Sequence, residues 1–183
     1  MGSSHSSLIP HFDANIRTRD GKTFKLSFRD FADHIVLLRR MIEHPEMTQK
    51  GEVLNYFIED YCRRMSHQAI TARHKQWRLS WQTDWLWHAH RLHPIAYNND
   101  CTKQLADGKL VDKRYRRLKI KQRQKHRSLT LPESIKTPST FVLSIDLTNA
   151  VLRQRDFLEK CKQHHLFSMN LRQMDRNSFE QMV

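Results

Sequence analysis

The sequence predicts a mainly α-helical fold, a single helical-bundle domain with a small β-hairpin near the N-terminus. Three observations predict it. Apolar residues recur at three- and four-residue steps in several separate stretches, which is the period of an amphipathic helix. The 183 residues include only 4 Gly and 5 Pro, too few for a turn-rich β protein or for low-complexity disorder. An Asp-Gly pair with alternating flanks, in IRTRDGKTFKLSF (Ile16–Phe28), marks one hairpin. Hydrophobic residues make up 38% of the chain, lean but sufficient for one core.

Taken in order, residues 1–15 are small and polar and read as a flexible N-terminal arm. The folded domain is expected over 16–169. A lone hairpin is weak, so the one at Ile16–Phe28 must pack on helices. From Phe28 the period changes: Phe28, Phe31, Ile35, Leu38 and Ile42 form a helical stripe. That helix ends near His44, because Pro45 disfavours helical geometry in the residue before it. A second helix covers about 52–65, with Val53, Phe57, Tyr61 and Met65 along one side, and a polar link leads to about Arg78. A third helix reads from Thr83, its expected N-cap, to the stop at Pro94. A short turn follows from Tyr97 to Leu105, and Gly108 breaks it. Within the domain, 109–140 reads as a basic segment and a linker with two prolines. The last long helix is capped by Ser144 and carries Leu147, Val151, Leu158 and Cys161 at helical spacing. Residues 170–183 form a polar C-terminal tail, with at most a short terminal helix.

The stretch TDWLWHAHRLHP (Thr83–Pro94) concentrates the chemistry: two Trp, three His and one Asp in twelve residues. On a helix, Trp81, Trp85, His88 and Leu92 share one face. Asp84 and His88 are four apart, so a carboxylate can fix the imidazole tautomer there. His90 falls on the opposite side and groups with Trp87 and with His93 or Pro94. Zinc needs converging ligands, and H-x-H converges on a strand rather than on a helix. His90 and His93 could meet Cys101 after a turn, and His88 would need another partner. Three readings therefore stand side by side. The rings can be core, with Asp84–His88 a satisfied buried pair. Some of His88, His90, His93 and Cys101 can hold a metal, zinc above all. Or Asp84–His88 can serve acid–base catalysis. The sequence has no Gly-rich phosphate loop, G-x-S-x-G or H-E-x-x-H.

Asp84–Cys101 resembles the signature of the glycine-rich domain-containing protein-like family, D-x-x-W-H-x-H-x-L-x-P-x-x-Y-x-x-D-C. Here Asp84, Trp87, His88, His90, Leu92, Pro94, Tyr97, Asp100 and Cys101 carry it. The helix around Phe31–Pro45 with Tyr61, and the element SIDLTNAVLRQRDF (Ser144–Phe157), are similar to flanking pieces of that family, so the resemblance spans roughly 28–165. It implies a mainly helical domain with no established enzymatic activity. Plant members carry added glycine-rich or RNA-recognition parts and are linked to development and stress responses. This chain has only 4 Gly and lacks such parts, and its basic run sits where the family has an ordinary loop.

The formal charge of +13 is unevenly spread. Residues 1–100 hold 14 Lys and Arg against 11 Asp and Glu, whereas 101–183 hold 18 against 8. Lys113, Arg114, Arg116, Arg117, Lys119, Lys121, Arg123, Lys125 and Arg127 lie within fifteen residues. On a helix these cations would surround the axis and repel one another, so a polyanion is needed to order them. Each neutralised phosphate would release counterions and make binding salt-sensitive. Tyr115 is a lone stacking group, too little for reading a base sequence.

Three well-separated cysteines (Cys62, Cys101, Cys161) make no disulfide framework. Together with the absence of a long apolar run, this points to an intracellular setting, cytoplasmic or nuclear. The expected function is a non-enzymatic binding or adaptor module. Asp84, Trp85, Trp87, Pro94 and Tyr97 are its structural motif, and the basic segment contacts nucleic acid or an acidic protein. Two other classes stay open. One is a metal-dependent enzyme built on the histidines. The other is a peripheral protein myristoylated at Gly2, with the basic segment on an anionic membrane surface.

Overall fold

A computed structural model of the chain describes residues 9–67, 70, 76, 79–112 and 139–182. It is mainly helical, with a two-stranded antiparallel hairpin at its N-terminal end. Strands β1 (Asp13–Arg17) and β2 (Thr23–Ser27) pair with Ala14 opposite Leu26 and Ile16 opposite Phe24. The Gly21 N–H donates to Thr18 O, and the Thr18 N–H to Lys22 O. Gly21 has φ 82°, the left-handed geometry that closes a three-residue loop and that glycine adopts without strain.

Helix α1 (Phe28–Glu43) leaves β2 directly and ends at His44, before Pro45, which opens a short 3-10 turn (Pro45–Thr48). Its stripe is apolar on one side, and Phe28, Ala32, Ile35, Leu38 and Met41 are buried. Helix α2 (Glu52–Ser66) buries Leu54, Phe57, Tyr61, Cys62 and Met65. Asp60 is buried on α2 and accepts from the guanidinium groups of Arg63 and Arg64.

Helices α3 (Trp81–Arg91) and α4 (Pro94–Gln104) follow, then α5 (Leu147–Gln163) and α6 (Arg176–Met182). Helix α3 is the centre of the bundle, packed against α1, α2, α4 and α5. This explains its burial: a helix touched on nearly every side buries polar residues (Gln82, Thr83, Asp84 and His90) along with apolar ones. Trp85, Leu86, Trp87, Ala89 and His90 are all buried.

Two expected boundaries are corrected. Residues 9–15 are not a free arm. Ile9 is buried, and Phe12 stacks on Phe28 with ring centroids 4.7 Å apart. Nor is the stretch after 169 merely a polar tail. Leu171, Met174 and Phe179 are buried with Phe28, Ala32 and Ile35 in a second apolar cluster beside the hairpin. The Phe179 ring lies 5.1 Å from Phe28 and 5.2 Å from Phe31. The polar residues of that tail face outward around a few large apolar ones, a pattern that average polarity hides.

Two helix caps also differ from expectation. Ser80, not Thr83, caps α3: its Oγ accepts the Thr83 N–H at 3.2 Å. Asp146, not Ser144, caps α5, accepting the Asn149 N–H at 2.9 Å. A carboxylate at a helix start is favoured by the aligned peptide dipoles as well as by the hydrogen bond. Residues 109–112 have no regular structure, and the rest of the basic segment, Lys113 to Arg127, lies outside the described residues, as does Gly2.

Candidate functional site around the tryptophan and histidine helix

Pro94 at the first turn of α4 ends α3 and turns the chain back. His93 is the N-cap of α4, with its N–H on His90 O at 3.0 Å and its carbonyl accepting the Tyr97 N–H at 2.9 Å. This tight corner sets α4 against α3 and brings Tyr97, Asp100 and Cys101 under the α3 side chains.

His90 is fully buried. Its Nε2 lies 3.1 Å from Asp100 Oδ2, and its Nδ1 lies 2.9 Å from the Tyr61 hydroxyl. A carboxylate only accepts, so Nε2 carries the proton and Nδ1 accepts from Tyr61 O–H. The same Asp100 oxygen accepts the Ser144 N–H at 2.9 Å. Burial pulls His90 below its ordinary pKa, against the pull of neighbouring Asp100, so the ring is neutral near pH 7. Burial likewise pushes the Tyr61 hydroxyl well above its ordinary range.

A second chain of bonds runs beside the first. The Trp87 indole N–H donates to the Tyr97 hydroxyl at 2.9 Å, and that hydroxyl donates to Val111 O at 2.5 Å. Gln104, one turn beyond Asp100 and Cys101, holds Val142 by both sides of its backbone. Its Nε2 donates to Val142 O at 2.6 Å, and its Oε1 accepts the Val142 N–H at 2.7 Å. Gln76 Nε2 donates to Ile70 O and to Asp112 O, each at 2.9 Å. The two chain segments that border residues 113–138 are thus both fixed on α4. One is held at Val111 by Tyr97, the other at Val142 and Ser144 by Gln104 and Asp100.

The four residues considered as metal ligands do not gather. His90 has both ring nitrogens occupied within the core. His88 is half-buried on another face of α3, stacked on Trp85 and beside His34 of α1. His93 sits at the corner between helices, and Cys101 is a buried free thiol. Among the described residues no group of three or more His, Cys, Asp or Glu converges as a metal-holding set. Burial raises the Cys101 thiol and pushes that of Cys62 up to about 11, which leaves both as protonated, unreactive thiols near neutral pH. The Trp85 indole N–H is buried and finds no acceptor among the described residues. Trp85, Trp87 and Tyr97 are all in the core; Asp84 is also buried, one turn before His88.

Sequence reasoning missed four partners: Tyr61 for His90, Ser144 for Asp100, Val111 for Tyr97, and Gln104 altogether. The legible signal was the spacing of Tyr97, Asp100, Cys101 and Gln104, which places them in one stripe along α4. No helix among the described residues is long and apolar enough to cross a membrane. Comparisons with protein-family models, with curated proteins and with solved structures found no match to this chain.

Proposed function

We propose that the chain is a non-enzymatic binding module in which a rigid helical platform presents the basic segment 109–127 to polyanions, nucleic acid foremost. The observation that carries this reading is the placement of the charge. Nine cations in the fifteen residues from Lys113 to Arg127 lie between two chain segments that are each hydrogen-bonded to α4. The Trp and His motif supports the same reading. The side-chain bonds of Trp87, His90, Tyr97 and Asp100 run to one another, to Tyr61 and to backbone, as in a structural network rather than a reactive centre. The resemblance to the glycine-rich domain-containing protein-like family favours a helical, non-enzymatic domain of this kind. Three free cysteines favour a reducing, intracellular compartment, cytoplasmic or nuclear.

Counterion release would dominate such binding, so affinity falls steeply with salt and varies little with sequence. The test titrates an unrelated RNA and an unrelated DNA duplex at two salt concentrations. Both bind at low salt, with non-specific dissociation constants on the order of 10⁻⁴ to 10⁻⁶ M near physiological salt. Charge reversal at Arg116, Arg117 and Lys119 weakens both and lowers the salt slope by roughly one for each phosphate that is no longer neutralised. Absence of binding at low salt, or an unchanged slope after charge reversal, refutes the proposal. Selective binding to an acidic protein or to anionic vesicles instead would reassign the partner.

A further inference from the structure

The hairpin has an edge whose backbone groups face outward. Its two ends fix which groups meet between the strands. At the loop the Thr18 N–H donates to Lys22 O at 2.8 Å, and at the base the Phe28 N–H donates to Phe12 O at 3.0 Å. Hydrogen-bonded pairs alternate along an antiparallel ladder, so Ala14 with Leu26 and Ile16 with Phe24 are the other bonded pairs. The N–H and C=O groups of Thr23 and Lys25 therefore point away from β1. Among the described residues no hydrogen bond reaches them. Strand β1 lies against α6, whereas Thr23, Phe24 and Lys25 of β2 are all exposed. Phe24 is 51% exposed, an aromatic ring left half in water beside that edge.

We propose that the outer edge of β2 docks an extended segment of a partner protein, added as a third strand, in which acidic and apolar residues alternate. An exposed strand edge is a template for another backbone. Main-chain hydrogen bonds then supply affinity, and alternate side chains supply specificity. The register sets those side chains. On one face an incoming strand lies beside Thr23 and Lys25, with Arg17 opposite Thr23 and Asn15 opposite Lys25. On the other face it lies beside Phe24 and Leu26. Charge selects the occupant. The hairpin carries Arg17, Arg19, Lys22 and Lys25 against Asp13 and Asp20, and Asp20 is already paired with Lys22 at 3.0 Å. A second copy would bring the same cations together, in a chain of formal charge +13. A five-residue edge is also short for joining two whole chains, since stable interfaces bury about 1,200–2,000 Å². Lys25 thus opposes self-pairing and favours an acidic strand. This edge is separate from the basic segment and does not depend on the polyanion reading.

The test uses the full chain and a synthetic hexapeptide of alternating glutamate and valine, with both ends blocked. An acidic peptide can also meet the basic segment, so the readout is resolved by residue. Amide hydrogen exchange, followed by NMR, slows at Thr23 and Lys25 as the peptide is added. Methylating the peptide nitrogens of one alternate set, either the glutamates or the valines, abolishes that slowing, because one set donates to β2. K25E weakens the effect about twofold to tenfold, and K25R keeps it. Triple charge reversal at Arg116, Arg117 and Lys119 leaves it unchanged. If excess peptide leaves exchange at Thr23 and Lys25 of the wild-type chain as it was, the proposal fails. It fails equally if neither methylated peptide loses the effect. Protection of the two amides that rises with protein concentration alone, together with dimers in sedimentation, would overturn it in favour of a second copy.

Discussion

His90 shows how one buried side chain can set several others. It accepts from Tyr61 and donates to Asp100, which in turn receives the Ser144 N–H. Residues on α2, α3 and α4 and the approach to α5 thus share one bond chain. Because burial lowers the His90 pKa, its neutral form is the one the fold holds. The sign follows: above the unfolded value of about 6.5 the folded and unfolded rings are both neutral, and stability is full. As pH falls below about 6.5 the unfolded chain gains a proton that the folded ring resists, and stability declines by up to about 1.4 kcal/mol per pH unit. Chemical denaturation at several pH values should show a shallower decline between pH 6.5 and 5 in H90Q than in wild type; equal slopes would mean that His90 does not contribute. Trp85 tests packing at the same scale. Its ring is fully buried, and Trp85→Ala should cost about 3–5 kcal/mol in the denaturation midpoint analysis. A near-neutral result would place the ring at a surface.

At the scale of elements, α1, α2 and α5 were legible because each is amphipathic and packs on one side, so the 3.6-residue period survives in the sequence. Helix α3 was legible as a helix but not at its start. Its first turn, with Trp81 and Gln82, is already buried, and Ser80 and Thr83 are both residue types that cap helices. Asp146 rather than Ser144 holds the capping position of α5, and the Ser144 backbone N–H donates to Asp100. The C-terminal helix α6 was nearly invisible, since one phenylalanine carries its docking. Phe179→Ala should therefore cost about 3–5 kcal/mol, and limited proteolysis should then cut near Asn170 faster than in wild type. If cleavage and stability match wild type, α6 does not hold the second cluster together. Ser80→Ala should cost about 1 kcal/mol, the usual value of a missing cap. If Thr83→Ala costs more than Ser80→Ala, the start of α3 is misplaced.

For the whole molecule, the fold class was readable from composition and periodicity, whereas the connections that organise the candidate site were not. Tyr61 and His90 are 29 residues apart, and Asp100 and Ser144 are 44 apart. No local spacing reports such pairs; only the packing of α2, α3 and α4 creates them. The proposed function implies a division of labour between a hydrogen-bonded core, which places and holds α4, and a cationic stretch between two segments fixed to that helix. The division itself is measurable. Denaturant stability and the salt slope of nucleic-acid binding would be determined together for Y97F, which removes the hydroxyl between Trp87 and Val111, and for a triple reversal at Arg116, Arg117 and Lys119. The account predicts that Y97F loses about 1–3 kcal/mol of stability, as for buried partners left unpaired, with its salt slope unchanged, while the triple reversal lowers the slope and keeps wild-type stability. A Y97F chain as stable as wild type that no longer binds, or a triple reversal that binds as before, would contradict it.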